Sequence, residues 1–462
     1  MMFHHFAGLS RVHFVGVGGA GMSGLAEVLL EYDLEVSGSD LVASETTERL
    51  SRLGARISQG HRAEHVEGAD LVVVSSAVHE SNVEVEAARR LGIPVVRRAE
   101  MLAEVMRLKY GIAVAGAHGK TTTTSLVGHL LTEGGLDPTV IVGGRLRVSG
   151  TGARLGKSDY LVAEADEFDR SFLRLQPIIA VITNIDVEHL DTYRDLEDIR
   201  TAFIAFAQKV PFFGQVILCL DDPYVQEILP RLADRRLVTY GLTPQADLQA
   251  QDLELDAAGS SFLVRSAENG VLGRVRLPMP GTHNVQNALG AIAVGLGLGI
   301  PFESLARAFA DFGGVHRRFE RLGQWRGAIV IDDYAHHPTE VRATLAAARQ
   351  VFGDGRLHVV FQPHLYTRTR DQAEELGRAL LAADEAIVTE VYGSREAPIE
   401  GVSGELVVAA ARASGHRNAR FCADWRDAGA LLAATVAPGD AILTLGAGDV
   451  YRLAQALAEE GA

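Results

Sequence analysis

The chain has 462 residues, 47% of them hydrophobic, with 48 glycines, 14 prolines and a formal net charge of -15. At ~150 residues per domain this length predicts about three globular domains, and the acidic balance excludes a nucleic-acid binder, which needs a basic face. Cys219 and Cys422 supply no disulfide framework, and MMFHHFAGLS lacks the apolar core of a secretory signal. The longest apolar stretch, Ala288 to Ile300, is too short to cross a bilayer, so a cytoplasmic protein without membrane insertion is expected.

Strands alternating with helical patterns predict an α/β fold: three domains, each an open, mostly parallel sheet with helices. In the first, Val12 to Val15 reads as a strand, Gly16-x-Gly18-x-x-Gly21 as a turn and Met22 to Leu30 as a helix. Asp40 ends a second strand about 20 residues past the turn. Such a loop suits any nucleotide diphosphate. Taken alone it also matches a dinucleotide site with Asp40 on a ribose hydroxyl. The rhythm continues through LGARISQG, ADLVVVSSAV and LGIPVVRRAEML, and Pro94 with the Arg97–Glu100 stretch marks an exit near residue 107.

The second domain opens on GIAVAGAHGKTTTT at 111–124, the stretch around which the chain is organised. Ile112 to Ala115 reads as a buried parallel strand; Gly116, Ala117, His118 and Gly119 form a loop, and Lys120 with Thr121 to Thr124 opens a helix. This geometry turns backbone N–H groups and a helix N-terminus toward a polyphosphate. Lys120 would reach the terminal phosphates and the Thr121 hydroxyl a Mg²⁺ ion, although Val114 stands where the strict pattern has glycine.

The strand in DYLVAEADEFD runs into Glu164, Asp166, Glu167 and Asp169, as at a Mg²⁺ site downstream of a phosphate loop. The strand in IIAVITNIDVEHLDTY ends at Asn184, Asp186, Glu188 and His189, on the same strand-end edge. In PMPGTHNVQNALGA, Asn284 and Asn287 are three apart at a helix start, placed either to cap it or to hold a base or phosphate.

The third domain opens near Phe312. Asp332 and Asp333 end a strand and precede Tyr334, His336, His337 and Pro338, the last in a helix's first turn. The strands of RLHVVFQPHLYTRTR, EAIVTEVYGS and AILTLGAGDV complete another parallel sheet. Two nucleotide-type loops, a Mg²⁺ cluster and a His- and Arg-rich third domain point to phosphoryl transfer. A carboxylate is a poor electrophile. A ligase would first phosphorylate it and then let an amine attack the acyl phosphate, with Lys120, Arg318, His337 and Arg368 as candidate cations.

Over essentially its whole length the chain resembles the Mur ligases of peptidoglycan synthesis. The resemblance rests on HFVGVGGAGMSGLAEVLL at 13–30, GAHGKTTT at 116–123, EADEFD at 164–169 and NIDVEHLDTY at 184–193. It continues through HNVQNALGA at 283–291, RRFE at 317–320, DDYAHHPTEV at 332–341 and QPHLYTRTR at 362–370. The first motif is the form that separates the ligase acting on UDP-N-acetylmuramate and L-alanine from those adding later residues.

The resemblance implies an ATP- and Mg²⁺-dependent ligase, a monomer or homodimer, that joins L-alanine to the lactyl carboxylate of UDP-N-acetylmuramate. Residues 1–107 would bind the UDP-substrate, 108–312 ATP, and 313–462 the amino acid while closing on ATP. Gly16, Val17, Gly18, Gly19, Ala20, Gly21, Met22, Asp40 and Ser75 would hold the UDP-sugar. Gly116, Ala117, His118, Gly119, Lys120, Thr121 and Thr122 would hold ATP phosphates, Asn284 and Asn287 its adenine end, and Arg318 and Asp333 would engage it from the third domain.

The implied metal ligands are Thr121, Glu164 and His189; the implied catalytic set is Lys120, Glu164, His189, Arg318 and Asp333. Tyr334, His336, His337 and Arg368 would line the L-alanine pocket or meet phosphates. Two positions depart from the family: Phe168 replaces its usual Ser, and Leu365 its usual Arg. Three other readings compete: a recycling ligase that attaches a preformed peptide, a NAD-dependent oxidoreductase, and a non-catalytic nucleotide-binding regulator. The oxidoreductase leaves the Lys120 loop unexplained, and the regulator would be expected to lose Lys120 or Glu164.

Overall fold

The computed structural model describes Phe6 and residues 8–75, 77–143, 151–189, 192–256, 258–394 and 396–461; Leu190 and Asp191 of the 184–193 motif lie outside them. The chain divides into two compact units. One holds the chain to Gln251 with 263–275 and 286–313; the other holds 252–262, 276–285 and 314–462.

In the first unit, β1 (Arg11–Val15), β2 (Glu35–Asp40), β3 (Arg56–Gln59), β4 (Leu71–Val74) and β5 (Val95–Arg97) form a five-stranded sheet of order β3-β2-β1-β4-β5. Its pairs are all parallel. The order reverses at β1, so the loop after β1 opens at the switch point where such sheets bind ligands.

The next sheet uses β6 (Tyr110–Ala115), β7 (Thr139–Ile141), β8 (Ala153–Arg154), β9 (Tyr160–Glu164), β10 (Ile179–Ile182), β11 (Gln215–Cys219) and β12 (Leu237–Gly241), in the order β12-β11-β10-β6-β9-β7-β8. β13 (Leu248–Asp256) pairs with β12, and β14 (Gly259–Ser266) and β15 (Gly270–Leu277) follow in the chain. β6 lies between β10 and β9, so the loops after these three strands share one edge. Its residues Ile112 to Ala115 are fully buried, as a strand covered on both faces requires.

The sequence predicts three modules in tandem, yet the first two share one core. Val12, Phe14 and Leu25 belong to the same buried cluster as Ala113, Leu161 and Phe203, with Met101 and Met106 of the helix Arg98–Arg107 among its members. Two glycines permit the approach. A Cβ on Gly111 would collide with Met106, and one on Gly24 would meet Ala153 and Gly152 at 3.0–3.1 Å.

In the second unit, β16 (Glu320–Trp325), β17 (Ala328–Asp333), β18 (Leu357–Phe361), β19 (Glu385–Val388), β20 (Ala419–Phe421) and β21 (Ala441–Leu445) form a sheet of order β16-β17-β21-β18-β19-β20. Only β16 runs antiparallel. Strand alternation sends Ile331, Val359 and Leu443 to one core cluster and Val330, Val360 and Ile442 to another. Both faces are therefore buried, and chemistry is confined to the strand ends.

Candidate functional site

The loop between β6 and the helix Lys120–Glu133 is built on two left-handed glycines, Gly116 (φ 139°) and Gly119 (φ 80°). A Cβ on Gly116 would collide with Thr183 Oγ1, and one on Gly119 would lie 2.6 Å from Asn287 Oδ1. The loop rests on the end of β10. His118 N donates to Asn184 Oδ1 (2.8 Å), and Asn184 Nδ2 (3.0 Å) and Thr183 Oγ1 (2.6 Å) both donate to the His118 carbonyl.

Lys120 Nζ donates to the Gly116 and Ala117 carbonyls (2.7 and 3.1 Å) and to both oxygens of Glu167, each at 2.9 Å. Burial works to lower its pKa, but the charges of Glu167, Asp166 and Glu164 outweigh it and hold the ammonium protonated. Thr121 Oγ1 lies 3.1 Å from a Glu164 oxygen that also accepts from Gly143 N (2.8 Å). Burial raises the Glu164 carboxyl above its ordinary range, against the pull of Lys120.

Of the three expected metal ligands, Thr121 and Glu164 are hydrogen-bonded to each other, and His189 lies beside Glu167 and Glu188. Its Nε2 lies 3.6 Å from Glu167 and 3.7 Å from Glu188, and the three groups place their ligand atoms within 4.8 Å of one another. His189 is left-handed (φ 57°), and Phe168 packs edge-on to its ring at 5.1 Å. Phe168 thus supplies an apolar wall where the family's usual hydroxyl would stand. Tyr193 donates to the Glu167 carbonyl (2.7 Å), which fixes the acidic loop.

Glu167 and Glu188, which the assignment by resemblance did not include, are the carboxylates the structure places beside Lys120 and His189. Their presence among the clustered acids was the available signal. Asn284 and Asn287 contact different neighbours. Asn284 Nδ2 donates to the Pro280 carbonyl (2.7 Å), whereas Asn287 Oδ1 accepts from Thr123 (3.2 Å) beside Gly119.

At the β1 switch point, Gly16 (φ 77°) turns the chain and the Asp40 carboxylate accepts from Gly18 N at 2.8 Å. Asp40 braces the loop from within, a role the ribose expectation did not contain. Beneath it, Ser39 Oγ donates to Glu84 (2.5 Å), which His65 Nδ1 (2.6 Å) and His61 Nδ1 (3.1 Å) also contact.

In the second unit, Arg317 (φ 58°) and Phe319 (φ 47°) flank Arg318. Arg317 Nε binds Asp332 (2.9 Å), and Phe319 N and Ala335 N donate to the two oxygens of Asp333 (2.7 and 2.8 Å). Burial pushes the Asp333 carboxyl up to about 6, with Arg318 pulling the other way. The Arg318 guanidinium lies 5.3 Å from the Tyr334 ring centre and 3.6 Å from Glu340. His336 packs edge-on between Tyr334 and His364, with ring centres 5.4 Å from each. Gln372 Nε2 lies 3.1 Å from His337 Nε2, and Leu365 is left-handed (φ 69°) just ahead of the helix that carries Arg368.

Three family models match the chain: Mur ligase family, catalytic domain, over residues 11–110; Mur ligase middle domain over 114–295; and Mur ligase, glutamate ligase domain, over 317–448. The UDP-N-acetylmuramate–L-alanine ligase of Geobacter sp. (strain M21) is 52% identical, covering 97% of each chain. That of Sorangium cellulosum is 54% identical over 95% of this chain and 94% of its own. Among solved structures, the UDP-N-acetylmuramate-alanine ligase of Thermotoga maritima superposes with a TM-score of 0.82 at 31% identity, over 97% of this chain and 98% of its own. A murein peptide ligase from Psychrobacter arcticus gives 0.71 at 25% identity, over 97% and 99%.

Proposed function

The chain belongs to the Mur ligase family, and from that premise we propose that it joins L-alanine to the lactyl carboxylate of UDP-N-acetylmuramate. ATP is cleaved to ADP and phosphate in the reaction. The observation that carries this reading is full-length identity of 52–54% to ligases of that name, on a chain that keeps the Lys120–Thr121–Glu164 arrangement.

The lactyl carboxylate oxygen attacks the γ-phosphorus of ATP, the bond to the β-phosphate oxygen breaks, and ADP leaves. Lys120, held protonated at the loop, offsets the charge that develops on the transferred phosphoryl group. The L-alanine ammonium then gives a proton to solvent, its amine attacks the acyl phosphate carbonyl, and the carbonyl–oxygen bond breaks so that phosphate departs with the nitrogen's second proton as the amide forms. Lys120 must exchange its Glu167 oxygens for phosphate oxygens during the cycle. Glu167 therefore screens the buried ammonium until nucleotide arrives.

We assign ATP phosphates to residues 116–122 and the UDP-sugar to the loop 16–22 with Asp40 and Ser75. Asn284, Asn287, Arg318 and Asp333 are assigned to ATP, and Tyr334, His336, His337 and Arg368 to the amino acid and phosphates. Residues 1–107, 108–312 and 313–462 are the corresponding domains. The Thr121 hydroxyl and Glu164 carboxylate are hard oxygen donors that suit Mg²⁺, with His189 as the third assigned ligand. Bound there, Mg²⁺ supplies charge to neutralise the phosphates. No helix among the described residues is long and apolar enough to cross a membrane.

The test is product identity. The enzyme is incubated with UDP-N-acetylmuramate, ATP and Mg²⁺, and with L-alanine, glycine, L-serine or the L-Ala-D-Glu-diamino-acid tripeptide in turn. Mass spectrometry is expected to find one alanine condensed onto the UDP-sugar. Condensation of the tripeptide alone would move the protein to the recycling ligase, and no condensation with any acceptor would overturn the reading.

A further inference from the structure

Glu340 belongs to none of the assigned sets, yet it touches two of them. It occupies the third position of the helix Pro338–Phe352, whose N-cap is His337. One carboxylate oxygen accepts from the backbone N–H of His336 (3.1 Å) and His337 (3.3 Å) and lies 3.3 Å from His336 Nδ1. The other oxygen faces Arg318 at 3.6 Å. The Tyr334 carbonyl also lies 2.9 Å from His336 Nδ1. With two acceptors at that nitrogen, the hydrogen of the neutral imidazole sits on Nδ1.

Capping alone does not require this charge, because glutamine caps a helix N-terminus from the same position. The ion pair with Arg318 does require it. The Arg318 guanidinium also lies over the Tyr334 ring, 5.3 Å from its centre. Asp333 faces Arg318 as well, and its two oxygens accept from Phe319 N and Ala335 N.

We propose that Glu340 is a positioning residue for the ligation: it aims the Arg318 guanidinium and fixes the His336–His337 turn and the His336 tautomer from one helix terminus. This rests on the assignment of Arg318 to ATP. Glu340 couples the group assigned to the nucleotide with groups assigned to the amino acid, so it acts on both half-reactions through its neighbours.

The experiment compares wild type, Glu340→Gln, Arg318→Lys and the double variant, with Glu375→Gln as control. Glu375, on the helix Tyr366–Ala379, pairs with Arg342 of the helix that carries Glu340, both side chains about half exposed. Steady-state kcat and KM for ATP and L-alanine are measured beside thermal midpoints. Glu340→Gln is expected to keep the wild-type midpoint, because the cap survives, while kcat/KM for ATP falls about 10–100-fold. The double variant is expected to be no worse than Arg318→Lys alone, as coupled residues behave. Additive losses, activity within about two-fold of wild type, or a midpoint that falls in step with activity would overturn the proposal. A wild-type enzyme that releases no phosphate would instead overturn the functional reading, so the two failures are distinct.

Discussion

At the scale of single residues, buried charges are held by specific partners, and removing one partner exposes the other. Lys120 and Glu167 illustrate this: the ammonium holds both carboxylate oxygens at 2.9 Å, and Glu167 is 3% exposed. Lys120→Ala is expected to lower turnover by about 10²–10³-fold, as loss of one preorganised donor does. It should also lower stability by about 3–5 kcal/mol, because buried Glu167 loses the ammonium that holds both its oxygens. Urea unfolding beside phosphate release separates the effects, since adding Glu167→Gln should restore stability without restoring activity. A double variant as unstable as Lys120→Ala would contradict this account.

Glu84 makes a parallel case with a defined pH dependence. Burial alone would raise its pKa, but the His13, Ser39 and His65 side chains facing it outweigh burial and hold the carboxyl near 2. A carboxyl lowered on folding stabilises the protein above its unfolded pKa of 4.5, and that stability drains away as pH falls toward 2. Glu84→Gln is therefore expected to destabilise the protein near pH 7, with the gap to wild type narrowing below about pH 4.5. Equal gaps at pH 7 and pH 4 in urea titrations would refute the assignment.

At the scale of elements, the phosphate loop depends on glycines for two separable reasons. Gly116 lacks space: a side chain would strike Thr183 at a fully left-handed backbone. Gly119 has an Asn287 oxygen 2.6 Å from where a Cβ would sit, at φ 80°. Gly119→Ala is expected to fold with a loss of about 1–2 kcal/mol from the left-handed backbone and to raise KM for ATP. Gly116→Ala should be the more damaging, detaching the loop from β10. Thermal midpoints of the two variants give the test, and the reverse ranking would contradict the loop geometry.

This contrast also shows what was legible in the sequence. Apolar runs, glycine turns and the Lys-Thr pair are local signals, and they located β6, its loop, the strand-end edge and the Pro338 helix start. Partners far apart in the chain leave no periodic trace. Lys120 meets Glu167 from 47 residues away, and Asp40 bonds Gly18 from 22. The three-residue spacing of Asn284 and Asn287 likewise leaves their contacts with Pro280 and Thr123 unannounced.

At the scale of the whole molecule, an acidic chain of net charge -15 handles anionic substrates with local devices: glycine loops, a buried lysine and single arginines. Bulk attraction contributes little, so binding energy must come from ordered contacts at these loops. Saturating UDP-N-acetylmuramate is accordingly expected to raise the thermal midpoint. At a hundred times Kd the stabilisation is about 2.7 kcal/mol, and scanning fluorimetry across a ligand titration checks it. An unchanged midpoint under turnover conditions would remove the first domain from substrate binding.

The first two sheets share a core, so the glycine loops after β1 and β6 rest on one buried cluster. The central claim is that these parts serve one ligation. Its most direct measurement is phosphate release from ATP with Mg²⁺ and UDP-N-acetylmuramate, with and without L-alanine. Release that requires both the UDP-sugar and L-alanine, at one phosphate per amide formed, is the expected result. Release indifferent to L-alanine, or none with both substrates present, would contradict it.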